Sequence, residues 1–291
     1  MTKTLTLFCI GWFLLTLNLY GQKKQYLQFS IEQGLPQSQI ADISKDEVGY
    51  LYMATQGGGL ARFDGNEFKI YSKNEGLESN YINALYATND SLLIGTNAGL
   101  SIKVRDSFIN YKSPKILKIT KLQQRWYFGT SQGVYVLINN YLQPLKANQK
   151  IDLSPVNDLI YFDQYFWIAS PTGLWKIRSF DNNSKAELLV SGNFTSLLQT
   201  QNGVLAGSQN QGLLFFENNN RTKTIKEIIE INNLGTIDDE IWVATENHGV
   251  FFISDQIELK EKIFNKETGL ATNAINIIIK DHQNSIWMAS N

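Results

Sequence analysis

Apolar residues along this chain fall into short runs broken by turn residues, and no run carries the spacing of an amphipathic helix. One phrase recurs through the runs: aromatic or Leu, any residue, Ala or Gly, Thr or Ser, two or three residues, Gly, then Leu or Val. Its Thr or Ser falls at Thr55, Thr96, Thr130, Ser170, Ser208, Thr245 and Ser290, at intervals of 41, 34, 40, 38, 37 and 45 residues. The glycine and apolar residue follow in the first six copies as Gly59-Leu60, Gly99-Leu100, Gly133-Val134, Gly173-Leu174, Gly212-Leu213 and Gly249-Val250. A period near forty is that of a four-stranded propeller blade. In the first copy, strands are expected at 40–43, 50–55, 60–63 and 68–71. Asp46 to Gly49, Gln56 to Gly59 and Asp64-Gly65-Asn66 supply the turns between them. The small Ala or Gly suits the crowding where blades converge on the axis, and the aromatic before it suits packing between blades.

A second phrase joins one repeat to the next. Phe29-Ser30 leads to Gly34-Leu35 and Ile40, Tyr71-Ser72 to Gly76-Leu77 and Ile82, and Phe264-Asn265 to Gly269-Leu270 and Ile275, with identical spacing. It bridges an outer strand to the inner strand of the next blade. Its first copy therefore predicts that 26–30 is an outer strand without a blade of its own, suited to complete the last blade and hide an open edge. The expected fold is all-β: a seven-bladed propeller of four-stranded blades, with no helix outside the N-terminal segment and with the last blade incomplete. The seventh copy has strands expected at 274–280 and 285–290 but no Gly-Leu turn, so the chain is expected to be a fragment of a longer protein.

Gln33-Gly34-Leu35-Pro36-Gln37-Ser38-Gln39-Ile40, with Asp46, Gly49, Tyr52, Ala54-Thr55, Gly58-Gly59-Leu60 and Arg62-Phe63-Asp64-Gly65, resembles the two-component regulator propeller repeat. The resemblance covers essentially the whole chain after the N-terminal segment. It is strong in repeats one and seven, fair in two and six, and loose in three to five, which lack the Gly-Leu bridge. It implies the extracytoplasmic sensor region of a one-chain or hybrid two-component histidine kinase. It also implies an oligosaccharide ligand and further C-terminal domains, and it admits a homodimer of the full-length protein. No kinase residues are present here.

The N-terminus changes the picture of location. Lys3 precedes an almost wholly apolar stretch, 5–19, and Gly21 offers a cleavage point before Gln22-Lys23-Lys24-Gln25. The stretch is short beside the ~20 residues of a spanning helix. Residues 1–21 are read as a signal peptide and 22–291 as the propeller, placed in the periplasm or outside the cell. Cys9, the one cysteine, lies inside the signal, so disulfides cannot hold the mature chain. A net charge of −1 carries no footprint for nucleic acid. The run from Lys112 to Lys121 alternates with Ile116, Leu117 and Ile119 and reads as a solvated strand face.

Chemistry is sparse. His248 and His282 are the two histidines and have no ligand-spaced partners, so no metal site is read. Asp238-Asp239-Glu240 falls in a strand turn, no nucleophile has a base at hand, and no catalytic residue or cofactor is assigned. In a propeller the second-to-third-strand turns and the inter-blade bridges emerge on one face. Gln56, Asn97, Ser131, Thr172, Gln209, Asn210, Glu246, Asn247 and His248 are expected to ring that mouth as ligand-binding candidates. These amides and hydroxyls suit sugar hydroxyls. Trp126 and Trp175 could stack on sugar rings but read better as strand packing. Three functions stay open: saccharide sensor, secreted enzyme acting on polysaccharide, and protein-interaction scaffold.

Overall fold

Each forty-residue repeat becomes one antiparallel sheet because its apolar runs are strand length and its turns are two to four residues long. The computed structural model describes residues 26–290 apart from 123, 147–152, 182–183, 218–219, 226 and 255–256. The signal-peptide segment lies outside the described residues. Six four-stranded sheets cover 40–71, 82–112, 116–144, 158–191, 194–225 and 231–264, each in sequential strand order. A seventh sheet has two strands, Ile275–Lys280 and Ile286–Ser290. The fold is thus an all-β propeller with six complete blades and a two-stranded sheet where the seventh was expected.

The hydrophobic core is divided among the junctions. Seven clusters form, each between one sheet and the next, and the ring closes because one joins Trp287 and Ala289 of the seventh sheet to Ile43, Leu51 and Met53 of blade one. Trp167, fully buried, packs edge-on against Phe216 of the next blade, as the aromatic of the repeat phrase should. Burying a side chain of this size contributes about 2–3 kcal/mol. The small residue of the phrase is a steric requirement. A Cβ on Gly95 would sit 2.6 Å from Ile116 of the following blade, and one on Gly207 would sit 2.5 Å from Ile231. The hydroxyl one residue later has its own task. Thr55, Thr96, Thr130, Ser170, Ser208 and Thr245 each donate to the carbonyl of the glycine that opens the third strand, at 2.6–3.1 Å.

Three expectations change. The bridge phrase contains one-turn 3-10 helices, Ile31–Gln33, Lys73–Glu75 and Lys266–Thr268, where only strands and turns were expected. Ser30, Ser72 and Asn265 cap them through reciprocal capping boxes, and Gly34, Gly76 and Gly269 end them at φ of 104–111°. Residues 26–30 are not a ladder strand: among the described residues no neighbouring strand offers them backbone partners. Phe29 holds the segment in place instead, stacked on Trp287 at 5.4 Å and edge-on to Phe63 at 5.1 Å. Finally, Lys118 does more than line a solvated strand face: paired with Gly129, its half-exposed side chain turns to the following blade and meets Asp158 at 3.0 Å.

Candidate functional site: the mouth and the axis

The inner strands converge with one irregularity in common. In blades one, two, three, five and six and in the seventh sheet, the register shifts near the start of the inner strand, so one residue is left out of the pairing. Where that residue is polar it reaches the first carbonyl of the next inner strand. Asn83 donates to Ile116 O, Thr195 to Ile231 O, Asn232 to Ile275 O and Asn276 to Ile40 O. Asn157 does the same to Phe194 O in blade four. Blade one has Ala41 at this position, and there Gln56 of the mouth turn reaches Ile82 O at 2.6 Å. These residues were missed in the sequence reading, although Ile-Asn at 82–83, 231–232 and 275–276 repeats the signal.

Above this layer lies the mouth. The turn after the second strand is tied to the segment preceding the inner strand of its own blade: Gln56 N donates to Gln39 O, Asn97 N to Tyr81 O, Ser131 N to Lys115 O, Gln209 N to Asn193 O and Glu246 N to Glu230 O. The candidate residues therefore share one face, but they are not equally free. The Gln56 and Gln209 amides are used at blade junctions. The Asn97 carbonyl oxygen accepts from Asn83 at 3.0 Å, and Asn97 is exposed. Thr172 is exposed with its hydroxyl 3.0 Å from that of Ser170; Ser131 is half-buried, and Asn210 is exposed. The blade-six sector draws several together. Glu246 accepts from Asn232 at 2.8 Å, Asn247 donates to Glu230 at 2.9 Å, and His248 Nδ1 lies 3.6 Å from the same Glu230 carboxylate. Glu230, another residue missed in the sequence, holds a left-handed backbone at φ 55°.

One layer down, the channel carries charge. Asp158, 2% exposed, accepts from Leu159 N, from Leu197 N of blade five and from Lys118 Nζ at 3.0 Å. Asp42 accepts from Ile43 N and, across the junction, from Leu85 N at 2.7 Å. Burial pushes the Asp42 carboxyl up to about 6, against the lowering effect of the Leu85 N–H and the Lys118 charge. Burial acts to lower the Lys118 ammonium, but the Asp158 and Asp42 charges outweigh it and leave it raised. Trp126 packs edge-on to Tyr86 at 5.0 Å and lines a 410 Å³ surface cleft with 88–91, while Trp175 donates to Ser170 Oγ; both act in packing. Among the described residues no group of three or more His, Cys, Asp or Glu side chains is placed to hold a metal. No helix among them is long and apolar enough to cross a membrane.

No family model matches the chain. A curated relative, Histidine kinase P4 of Formosa agariphila, is 39% identical over 62 residues, which are 21% of this chain and 4% of that protein. Among solved structures, the extracellular domain of BT3049 of B. thetaiotaomicron, described as a hybrid two-component system, superposes with a TM-score of 0.78. It is 22% identical, over 91% of this chain and 40% of that one. The corresponding domain of BT4673 gives 0.73 at 18% identity, over 88% and 38%. The chain thus spans less than half the length of each of these three proteins. Repeat phrase and neighbours agree on the fold: this chain has the propeller fold of the extracellular domains of proteins described as hybrid two-component systems.

Proposed function

We propose that this chain is the extracytoplasmic ligand-sensing propeller of a two-component signal-transduction protein, that its ligand is a saccharide, and that it recognises without catalysing. The observation that carries the saccharide reading is the composition of the mouth: exposed Asn97, Thr172, Asn210 and Asn247 stand on a rigid ring. Amides and hydroxyls both donate and accept, as sugar hydroxyls do, so pairing is satisfied in either direction. The fold shared with extracellular domains of proteins described as hybrid two-component systems supports the sensor role. In this reading residues 1–21 direct export, the propeller stands in the periplasm, and further domains beyond it carry the output across the membrane.

The same reading completes the ring at seven blades. A third strand, supplied by further sequence, enters the 1160 Å³ opening between 287–290 and 26–29. Binding of the purified protein to an oligosaccharide array, followed by calorimetry, tests the ligand class. Replacing Asn97, Asn210 and Asn247 together by Ala is expected to weaken binding at least tenfold while the melting temperature stays within a few degrees. Unchanged affinity in the folded triple variant moves the site away from this mouth.

A further inference from the structure

Tyr81 is 51% exposed, and it is one of three exposed aromatic side chains among the described residues. Tyr141 opens an outer strand and Tyr26 lies ahead of blade one; Tyr81 alone of the three sits at the mouth, pairing with Gln56 as an isolated bridge. An exposed aromatic ring in water is not explained by packing. Neither face of this one is used to fill a core cluster.

The ring is nevertheless held. Gly57 is its neighbour: a Cβ built there would be 3.4–3.6 Å from Cε1, Cζ and Oη of Tyr81, so any side chain at this position would touch the ring. Gly57 is fixed in turn by two hydrogen bonds of its N–H, to Thr55 O and to Asn80 O. The Tyr81 backbone is fixed from the other side, its carbonyl accepting from Asn97 N at 3.0 Å and its N–H donating to Ser79 Oγ. A large ring thus stands on a hydrogen-bonded backbone with half its surface in solvent.

Two residues paired with the Tyr81 backbone, Gln56 and Asn97, carry amides of defined orientation. Asn83 Nδ2 donates to Asn97 Oδ1, so the Asn97 NH2 is left as a donor, and it has no partner among the described residues. Gln56 spends its NH2 on Ile82 O and Asn83 Oδ1, which leaves its carbonyl oxygen as an acceptor. A pyranose presents an apolar C–H face with hydroxyls around its rim. A pre-positioned aromatic face beside one amide donor and one amide acceptor matches that chemistry. We infer that Tyr81 is the stacking platform of a saccharide subsite at the junction of blades one and two, with Asn97 and Gln56 as its hydroxyl partners.

The inference rests on the saccharide reading above and places it in one sector of the mouth, away from Glu230 and His248. Wild type, Tyr81→Ala, Tyr81→Phe and Tyr81→Trp proteins are each applied to a printed array of neutral and acidic oligosaccharides, and the best-bound glycan is titrated by calorimetry. Tyr81→Ala is expected to lose about tenfold or more in affinity and Tyr81→Phe to stay within about threefold, with melting temperatures unchanged, because stacking needs the ring and not the hydroxyl. In Tyr81→Trp the added indole fluorescence is expected to shift on titration with that glycan. Binding by wild type that is equally strong in Tyr81→Ala overturns the subsite and leaves the saccharide reading standing. No binding by wild type to any glycan on the array overturns both. An unshifted fluorescence in a Tyr81→Trp protein that binds also overturns the subsite.

Discussion

Asp42 and Asp158 occupy equivalent inner-strand positions, each opposite the small Ala of the repeat phrase, yet only Asp158 has a cation in contact. Because burial raises Asp42 from 3.8 to about 6, the folded state binds its proton more tightly than the unfolded chain does. The sign follows. Below pH 4 the group costs nothing, and as pH rises through 4–6 the fold loses about 3 kcal/mol to the buried charge. The groups facing it from the packed elements are Asp158 and Lys118, and the raised Lys118 ammonium carries its charge throughout that window. Asp42→Asn is therefore expected to melt higher than wild type at pH 7.5 and equal to it near pH 4, read from thermal melts at the two pH values. A lower melting temperature at pH 7.5 would show that the Leu85 contact outweighs burial. Lys118→Met should cost about 3 kcal/mol, because Asp158 is then left buried without its cation. Adding Asp158→Asn should recover most of that loss in urea titrations.

At the scale of the element, the same motif position carries different loads in different blades. Gly59 and Gly133 both open a third strand with positive φ, +87° and +102°. A Cβ on Gly59 would lie 2.2 Å from Tyr71 O, an immovable backbone atom, whereas one on Gly133 would meet nothing within 4 Å. Gly59→Ala is expected to cost at least about 2 kcal/mol more than Gly133→Ala, whose penalty is the backbone strain of about 1 kcal/mol. Equal denaturation midpoints would refute the contrast. The capping boxes were legible as Ser-x-x-Gln and Ser-x-x-Glu, yet the phrase was read only as a bridge between strands, with no helix expected there. The reason is length: three residues show no helical period. The turn before the second strand also varies. Asp281 reaches back to Trp287 Nε1 at 2.7 Å and Asp46 to the Tyr52 hydroxyl, whereas the tighter turns of blades four and six leave the Trp167 and Trp242 indole N–H groups without partners among the described residues.

Over the whole molecule, closure depends on a junction with fewer strands than the others. Asn276 donates to Ile40 O, Lys45 reaches Lys280 O, and His282 Nε2 lies 2.8 Å from Asp46 O, so the seventh sheet is stitched to blade one near both ends of its inner strand. Phe29, Phe63, Phe68 and Trp287 fill the outer part of the same junction with aromatic pairs. Phe29→Ala is expected to destabilise the protein by about 2 kcal/mol, less than a fully buried Phe because the site is partly open. Extending the chain by about ten residues with one further strand should raise the melting temperature if the ring takes seven blades. An extended chain no more stable than this one would count against that completion.

The sequence by itself determined what repeats: strand length, turn chemistry, the small residue at the axis, and the blade period follow from residues interacting with near neighbours in the chain. The expected strands 60–63 and 68–71 coincide with those observed. It also placed the candidate residues on one face, since that depends only on strand alternation. Which of them are available was decided by tertiary structure. The NH2 groups of Gln56 and Gln209 are consumed by carbonyls 26 and 22 residues away, Lys118 is drawn to Asp158 in the next blade, and Glu230 enters the mouth through a bridge with no motif. Those partners meet only when blades close into a ring, and no local pattern encodes which side chain will face which across an inter-blade junction.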